Sequence, residues 1–389
     1  MRIKGDQQTA RAMNRRLMLN LLRRAGALSR AELAQRSGLS PAAVTFVMAD
    51  LLAEGLVTEG EAVRGAGGPG TGGRRPIPVS VNYAARLTIG MKLTAGGLEA
   101  VLADLSTAPL QRIFHPIPDT RPETVVAHVA RVVRALVPEA ATRAARLVGV
   151  GLALPGSYDH GRGHCLRLAR FGWQDVPLGQ MLAAAVDVPV WVDNDVNAFA
   201  LAQHLFGAGQ SHGNLLAVAV GAGLGAAFLT EGAVHRGARG GAGEIGHITI
   251  DPMGPLCECG RRGCAQVYWS EPAITARFPG DLTAALAACD PGAEALIDEA
   301  AAGLGRLLAP VLAVTDPDVV ILGGEGVRFG ERFRAGLQAA AHALCYDARP
   351  PVIFDWQADS WSRGAAALAA QHFFDFEAER LFAPRQALN

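Results

Sequence analysis

Between Gly243 and Gln266 the chain brings together one histidine and three cysteines, His247, Cys257, Cys259 and Cys264. Imidazole and thiolates in fourfold coordination favour Zn²⁺, and four protein ligands leave no position for water, so an ion held here would be structural. Gly260 and Gly263 suit a chain wrapped round an ion, because tight wrapping needs residues that tolerate positive φ. Reduced cysteines beside a satisfied core histidine are the simpler reading of any one of these residues. Three cysteines within eight positions, with the histidine ten before the first, point instead to a structural zinc site. Cys165, Cys289 and Cys345 are scattered and read as buried apolar residues.

A loop of this kind needs a scaffold, and 389 residues, half of them hydrophobic, are enough for two or three domains. No apolar run reaches membrane-spanning length, and the basic start does not resemble a secretory signal. The expected setting is cytoplasmic, where thiols stay reduced and clustered cysteines mean metal before disulfide. The formal net charge of zero hides a division: residues 1–80 hold 12 Lys+Arg against 6 Asp+Glu, leaving 24 against 30 for the rest. A basic segment on an acidic chain suggests a polyanion-binding module.

That segment reads as three helices. Leu17, Leu21 and Leu22 recur at helical spacing between Asn14 and Gly26; Ser29 with Glu32 forms a capping box for a second helix, Ala31 to Arg36, stopped by Gly38. Ser40 caps a third, with Pro41 at its first position and Val44, Val47, Leu51 and Leu52 as its buried stripe. This is the helix-turn-helix plan, and it would set Ser40, Ala42, Ala43, Thr45 and Phe46 near base edges in the major groove of operator DNA. Thr45 offers both a hydroxyl and a methyl. The six glycines of Gly65 to Gly73, followed by Arg74 and Arg75, read as a wing or arm whose arginines meet phosphates or the minor groove. A helical dimerisation module with a basic linker would share these features.

After Val81 strands alternate with helices, with glycine turns at strand ends. Leu87 to Met91 and Gly97 to Asp104 form a hairpin, Pro122 to Leu136 a helix, and Leu147 to Leu154 an apolar strand. Val188 to Val192 leads into Asn194-Asp195-Val196-Asn197 and an Ala-rich helix. Leu215 to Val220 meets Gly221-Ala222-Gly223, a second hairpin turns at Glu231-Gly232, Ala300 to Val314 is helical, and Val319 to Leu322 meets Gly323-Gly324-Glu325. The pattern is that of an α/β protein with ligand sites at the carboxyl ends of strands.

Gly243-Glu244-Ile245-Gly246-His247 with the cysteines that follow resembles the signature of the ROK family (repressor, open reading frame, kinase). Asn194-Asp195-Val196-Asn197 is similar to that family's sugar-site motif, and Phe171 to Leu178 to its preceding loop. The resemblance runs from about residue 85 to the end. It implies an actin-like ATPase fold, a two-lobe α/β body, here behind an N-terminal winged helix-turn-helix domain. The expected division is 1–80 for the DNA-binding domain and its Gly-rich wing, 81–197 for the first lobe, and 198–389 for the second, its last helix returning to the first. The resemblance further implies that Asn194, Asp195, Glu244 and His247 bond a hexose-like ligand, with Gly156 and Ser157 lining the cleft. Asn194 and Asn197 would serve equally as caps of the following helix.

Departures from the family pattern shape the functional expectation. Gln266 stands where the family usually has Glu, exchanging a charge for a donor. The first phosphate loop is Lys92-Leu93-Thr94-Ala95-Gly96, with lysine for the Mg²⁺-handling carboxylate, and Ala222 replaces a hydroxyl residue in the second. Phosphoryl transfer rests on positioning and metal electrostatics, so these changes should abolish it and leave Asp195, the general base of ROK kinases, as a sugar ligand. The expectation is a sugar-responsive transcriptional regulator of carbohydrate metabolism, a repressor, working as a homodimer or homotetramer with no membrane segment and no catalysis. A sugar kinase with a DNA-binding appendage, and a regulator released by a protein partner, are the alternatives.

Overall fold

The computed structural model describes residues 7–61, 76–137, 146–347 and 349–374. Arg74, Arg75 and the Gly-rich run before them lie outside the described residues. The amino-terminal head holds α1 (Gln7–Ala25), β1 (Leu28–Ser29), α2 (Arg30–Ser37), α3 (Pro41–Ala53), β2 (Val57–Glu59) and β3 (Pro78–Val81), the strands forming an antiparallel sheet in the order β1-β3-β2. The capping box is present, with the Ser29 backbone N–H donating to Glu32 Oε2 at 2.8 Å, and Gly38 ends α2 in the left-handed region at φ 70°. Ser40 caps α3 by accepting from the Ala43 N–H at 3.2 Å.

Two details differ from the sequence pattern. Helix α1 is already formed at Gln7, ahead of Asn14, and its outer turns rest on α3 through ion pairs that apolar spacing does not reveal: Arg11 with Asp50 and Arg15 with Glu54. Its buried apolar side chains among the described residues are Met18, Leu19 and Leu22, while Leu17 points outward; on α3, Met48 fills the core position expected of Leu52.

The first sheet has the order β11-β7-β4-β5-β6, from β4 (Leu87–Thr94), β5 (Gly97–Asp104), β6 (Pro109–Pro116), β7 (Leu147–Leu154) and β11 (Val190–Asn194); β4, β7 and β11 are parallel, and β4-β5-β6 antiparallel. Helices α4 (Pro122–Leu136) and α5 (Leu178–Ala185) pack against it. A small antiparallel sheet of β8 (Ser157–Asp159), β9 (His164–Leu168) and β10 (Trp173–Val176) lies between.

From the end of β11 the chain enters α6 (Asp195–Phe206) and then a second sheet of order β14-β13-β12-β15-β16, made of β12 (Leu215–Val220), β13 (Leu224–Thr230), β14 (Ala233–His235), β15 (Val319–Gly323) and β16 (Val352–Phe354). The β13–β14 turn places Glu231 and Gly232 at φ 52° and 79°, the paired left-handed geometry of a two-residue hairpin. Between β14 and β15 come the short helices α7 (Gln266–Trp269), α8 (Glu271–Thr275) and α9 (Leu282–Ala287), then the long α10 (Pro291–Thr315), which packs against α11 (Gly330–His342).

The last helix, α12 (Ser360–Phe374), crosses back to lie on β4 and β7 of the first sheet and beside α6. It can do so because Gly90 and Gly151 lack a Cβ: a side chain there would collide with the Ser362 and Ala365 carbonyls. At its far end Phe374 is fully buried in the core of the head, together with Leu105 from the first lobe. Two directional bonds reinforce this seat: Asn20 Nδ2 donates to the Phe374 carbonyl at 2.7 Å, and Arg23 donates to the Leu205 carbonyl of α6 at 2.8 Å. No helix among the described residues is long and apolar enough to cross a membrane.

Candidate functional site

The carboxyl ends of β4, β11, β12 and β15 converge on a cleft of about 300 Å³ between the two sheets. Asn194, Asp195, Glu244, His247 and Gln266 all face it. Gly156 and Ser157 are not on its wall: Gly156 is buried behind it, where its carbonyl accepts from Asn194 Nδ2 at 3.3 Å, and Ser157 pairs with Arg167 in the β8–β9 hairpin. Asn194 also caps α6, its Oδ1 accepting from the N–H groups of Val196 and Asn197 at 2.8 and 3.3 Å. Asn197 points away from the cleft and donates to buried Asp193 at 2.9 Å. Asp193 is itself held ionised at about 2: burial opposes its charge, but His160, Arg236 and Asn197 outweigh that.

Asp195 is paired with Lys92. Both are buried, and the Lys92 ammonium donates directly to Asp195 Oδ2. The same ammonium sits 4.3 Å from the centre of the Trp361 ring, in the first turn of α12. Burial pulls the lysine down from its ordinary range, against the carboxylates of Glu325 and Glu99 that favour its charge. Sequence reasoning noted Lys92 only as a break in a phosphate loop and missed Glu99, Glu325 and Trp361. Strand alternation was the available signal for one of them, since Lys92 and Glu99 are direct cross-strand partners on β4 and β5.

The His247, Cys257, Cys259 and Cys264 cluster, which could hold a metal ion, forms the adjoining wall. A single 3₁₀ turn, Ile245–His247, presents the histidine, and the Cys257–Gly260 turn closes with the Gly260 N–H donating to the Cys257 carbonyl at 2.9 Å. Gly260 and Gly263 both have positive φ, 87° and 63°, and a Cβ at Gly263 would strike the Asp251 carbonyl. The ligand atoms of His247, Cys257, Cys259 and Cys264 all lie within 4.8 Å of one another. His247 Nδ1 is 3.6 Å from Cys257 Sγ, and Cys259 Sγ is 3.6 Å from Cys264 Sγ. Burial lowers the His247 pKa and so keeps the imidazole neutral, as a ligand must be. Burial raises Cys259, but hydrogen bonds from the Arg261 backbone and side chain outweigh it and bring the thiol to about 7. Gln266 Nε2 donates to Cys257 Sγ at 3.4 Å and to Glu258 at 3.2 Å, contacts that need an amide donor and that a carboxylate could not make.

On the head, Ser40, Ala42, Thr45 and Phe46 are exposed at the start of α3 and Ala43 is half-buried. The Thr45 hydroxyl donates to the Pro41 carbonyl at 2.8 Å, leaving its lone pairs and methyl outward. The Arg11 guanidinium lies 5.0 Å from the centre of the exposed Phe46 ring.

Comparison with known proteins fits both halves. The ROK family model matches residues 88–372, and the winged helix-turn-helix DNA-binding model matches residues 14–58. The chain is 29% identical over 271 residues to the xylose repressor of Bacillus spizizenii (strain ATCC 23059 / NRRL B-14472 / W23), covering 69% of each. A crystal structure of a ROK family transcriptional regulator, a homologue of the E. coli MLC protein, superposes with a TM-score of 0.77 at 26% identity, covering 94% of this chain and 97% of that one. A ROK family glucokinase from Streptomyces griseus, solved with glucose and AMPPNP, superposes with a TM-score of 0.62 at 26% identity, covering 73% of this chain and 99% of that one. With a two-lobe body matched over most of its length and a winged reading head at its amino terminus, the chain belongs to the ROK family.

Proposed function

We propose that this protein is a cytoplasmic transcriptional regulator, a repressor of carbohydrate metabolism, whose hold on operator DNA is set by a sugar bound in the cleft. Asn194, Asp195, Glu244, His247 and Gln266 bond the sugar, with Gly156 and Ser157 supporting the wall. Ser40, Ala42, Ala43, Thr45 and Phe46 read DNA, aided by Arg74 and Arg75. Two copies form a homodimer, or four a tetramer, so that paired heads meet half-sites one helical turn apart.

The observation that carries this reading is the seat of Phe374. The helix that begins against the cleft at Trp361 ends inside the core of the DNA-binding head, so an event at one end is mechanically joined to the other. Kinase activity is lost: Lys92 occupies Asp195, the group that would take the sugar proton, and puts an ammonium where Mg²⁺ chemistry requires a carboxylate.

His247, Cys257, Cys259 and Cys264 fit a structural Zn²⁺. A tetrahedron with metal–sulfur bonds of about 2.3 Å has edges of about 3.8 Å, close to the observed 3.6 Å separations. An ion held by these four residues would pin the cleft wall, and His247 Nε2, 3.9 Å from Glu244 Oε2, would remain on the ligand side.

The test is fluorescence anisotropy of the full-length protein on duplex DNA selected from a random pool, titrated with monosaccharides. Selective binding relieved or strengthened by a sugar supports the reading. Indifference to duplex DNA, or steady ATP turnover with any monosaccharide, overturns it.

A further inference from the structure

The charges lining the cleft are lopsided. Lys92 is a single ammonium among three carboxylates: its ion-pair partner Asp195, its cross-strand partner Glu99, and Glu325, whose charge acts on it. Glu325 is fixed in place, because the Trp361 indole N–H donates to its Oε1 at 3.1 Å. Its other oxygen lies close enough to strike a Cβ on Gly221, so a carboxylate stands against the Gly221-Ala222-Gly223 turn. Backbone turns of that kind are where a fold of this type would otherwise receive an anion.

Glu244 and Glu258 add two more carboxylates to the wall. The second cation, Arg170, is already engaged, with Nε 3.4 Å from Glu258 Oε2 and a terminal nitrogen 3.4 Å from the Ala222 carbonyl. An entering phosphate or carboxylate therefore meets five carboxylates and two cations, each cation with a carboxylate of its own. A hydroxyl meets the reverse, a set of acceptors that it can donate to at no charge cost.

Resting on the sugar-binding reading above, we propose that the effector is a monosaccharide carrying no anionic group, and that Glu99 and Glu325 are the residues that reject its phosphorylated or oxidised counterparts. The same two carboxylates would turn away nucleotide phosphates, which makes the block on ATP a matter of occupied and repelling space as well as missing metal ligands.

Isothermal titration of the full-length protein with matched pairs tests this: glucose against glucose 6-phosphate and glucuronate, N-acetylglucosamine against its 6-phosphate, and xylose alone. In any pair where the neutral sugar binds, the anion should bind at least about tenfold more weakly, a difference of about 1.4 kcal/mol. Glu99→Gln and Glu325→Gln, each checked for native circular dichroism, should narrow that gap. An anion that binds as tightly as its neutral partner, or a gap unchanged in both folded variants, overturns the assignment while leaving sugar sensing intact. Failure of every sugar, neutral or charged, overturns both.

Discussion

Helices α6 and α12 each join two unlike environments. At the cleft their first turns carry Asp195 and Trp361, both in contact with the Lys92 ammonium. At the head their last turns carry Leu205, Phe206 and Phe374, with Phe206 and Phe374 edge-to-face at 6.2 Å and Phe374 fully buried. Charges and polar contacts respond to a ligand that competes for them; close-packed apolar contacts do not yield until they break. The helices are also locked to each other, since Gly364 lies so close that a Cβ there would be 3.0 Å from the Ala198 carbonyl carbon. On the proposed reading, a ligand would perturb one end and the other would follow.

The largest expected effect is at the following end. Phe374→Ala should cost about 4 kcal/mol by removing a fully buried aromatic side chain. Urea unfolding should show the loss in the head, and sugar binding at the cleft should survive while its effect on DNA disappears. If DNA release persists, the apolar seat is not the coupling. At the perturbed end, Lys92→Met leaves the Asp195 charge buried and unpaired and should cost about 3 kcal/mol. Adding Asp195→Asn should recover most of it, and a double-mutant cycle by thermal unfolding measures the difference.

A smaller effect per pH unit is expected from His372, which stacks on Trp191 near the head end of α12 with ring centres 4.2 Å apart. Burial, with Arg236, Arg16 and His160, lowers its pKa to about 4 from an ordinary 6.5, so the unfolded chain binds the extra proton between those values. This contribution is whole above about pH 6.5 and is lost as pH falls toward about 4, at no more than about 1.4 kcal/mol per unit. His372→Phe should flatten that slope in a pH series of unfolding curves. The smallest is Ser29→Ala, about 1 kcal/mol for loss of the α2 cap, which should lower the midpoint of the head alone.

The same contrast explains what could be read from the sequence. Short-range chemistry was legible: the Ser29 and Glu32 capping box, Ser40 before Pro41 and the glycines that let the sulfur loop turn all lie within a few residues of their partners, and β7 and β12 are unbroken apolar runs. The Lys92–Asp195 pair was not, because its members are 103 residues apart and meet only when β4 and β11 share a sheet. Glu325 and Trp361 reach the cleft by the same kind of assembly. Helix α12 is expected only through the family likeness, as a last helix returning to the first lobe, and not from periodicity: it is buried on nearly every side, so it shows no polar face to set off an apolar stripe. The β10 strand was hidden inside a segment whose family likeness suggested a loop.

The seat of Phe374 also bears on how the molecule comes into being. Synthesis runs from the amino terminus, so the reading head leaves the ribosome first, yet one of its core side chains is among the last described residues to be made. A nascent or truncated chain lacks that plug and exposes the apolar hollow that it fills. The head is therefore expected to reach its full stability only once the body that carries Phe374 has been made.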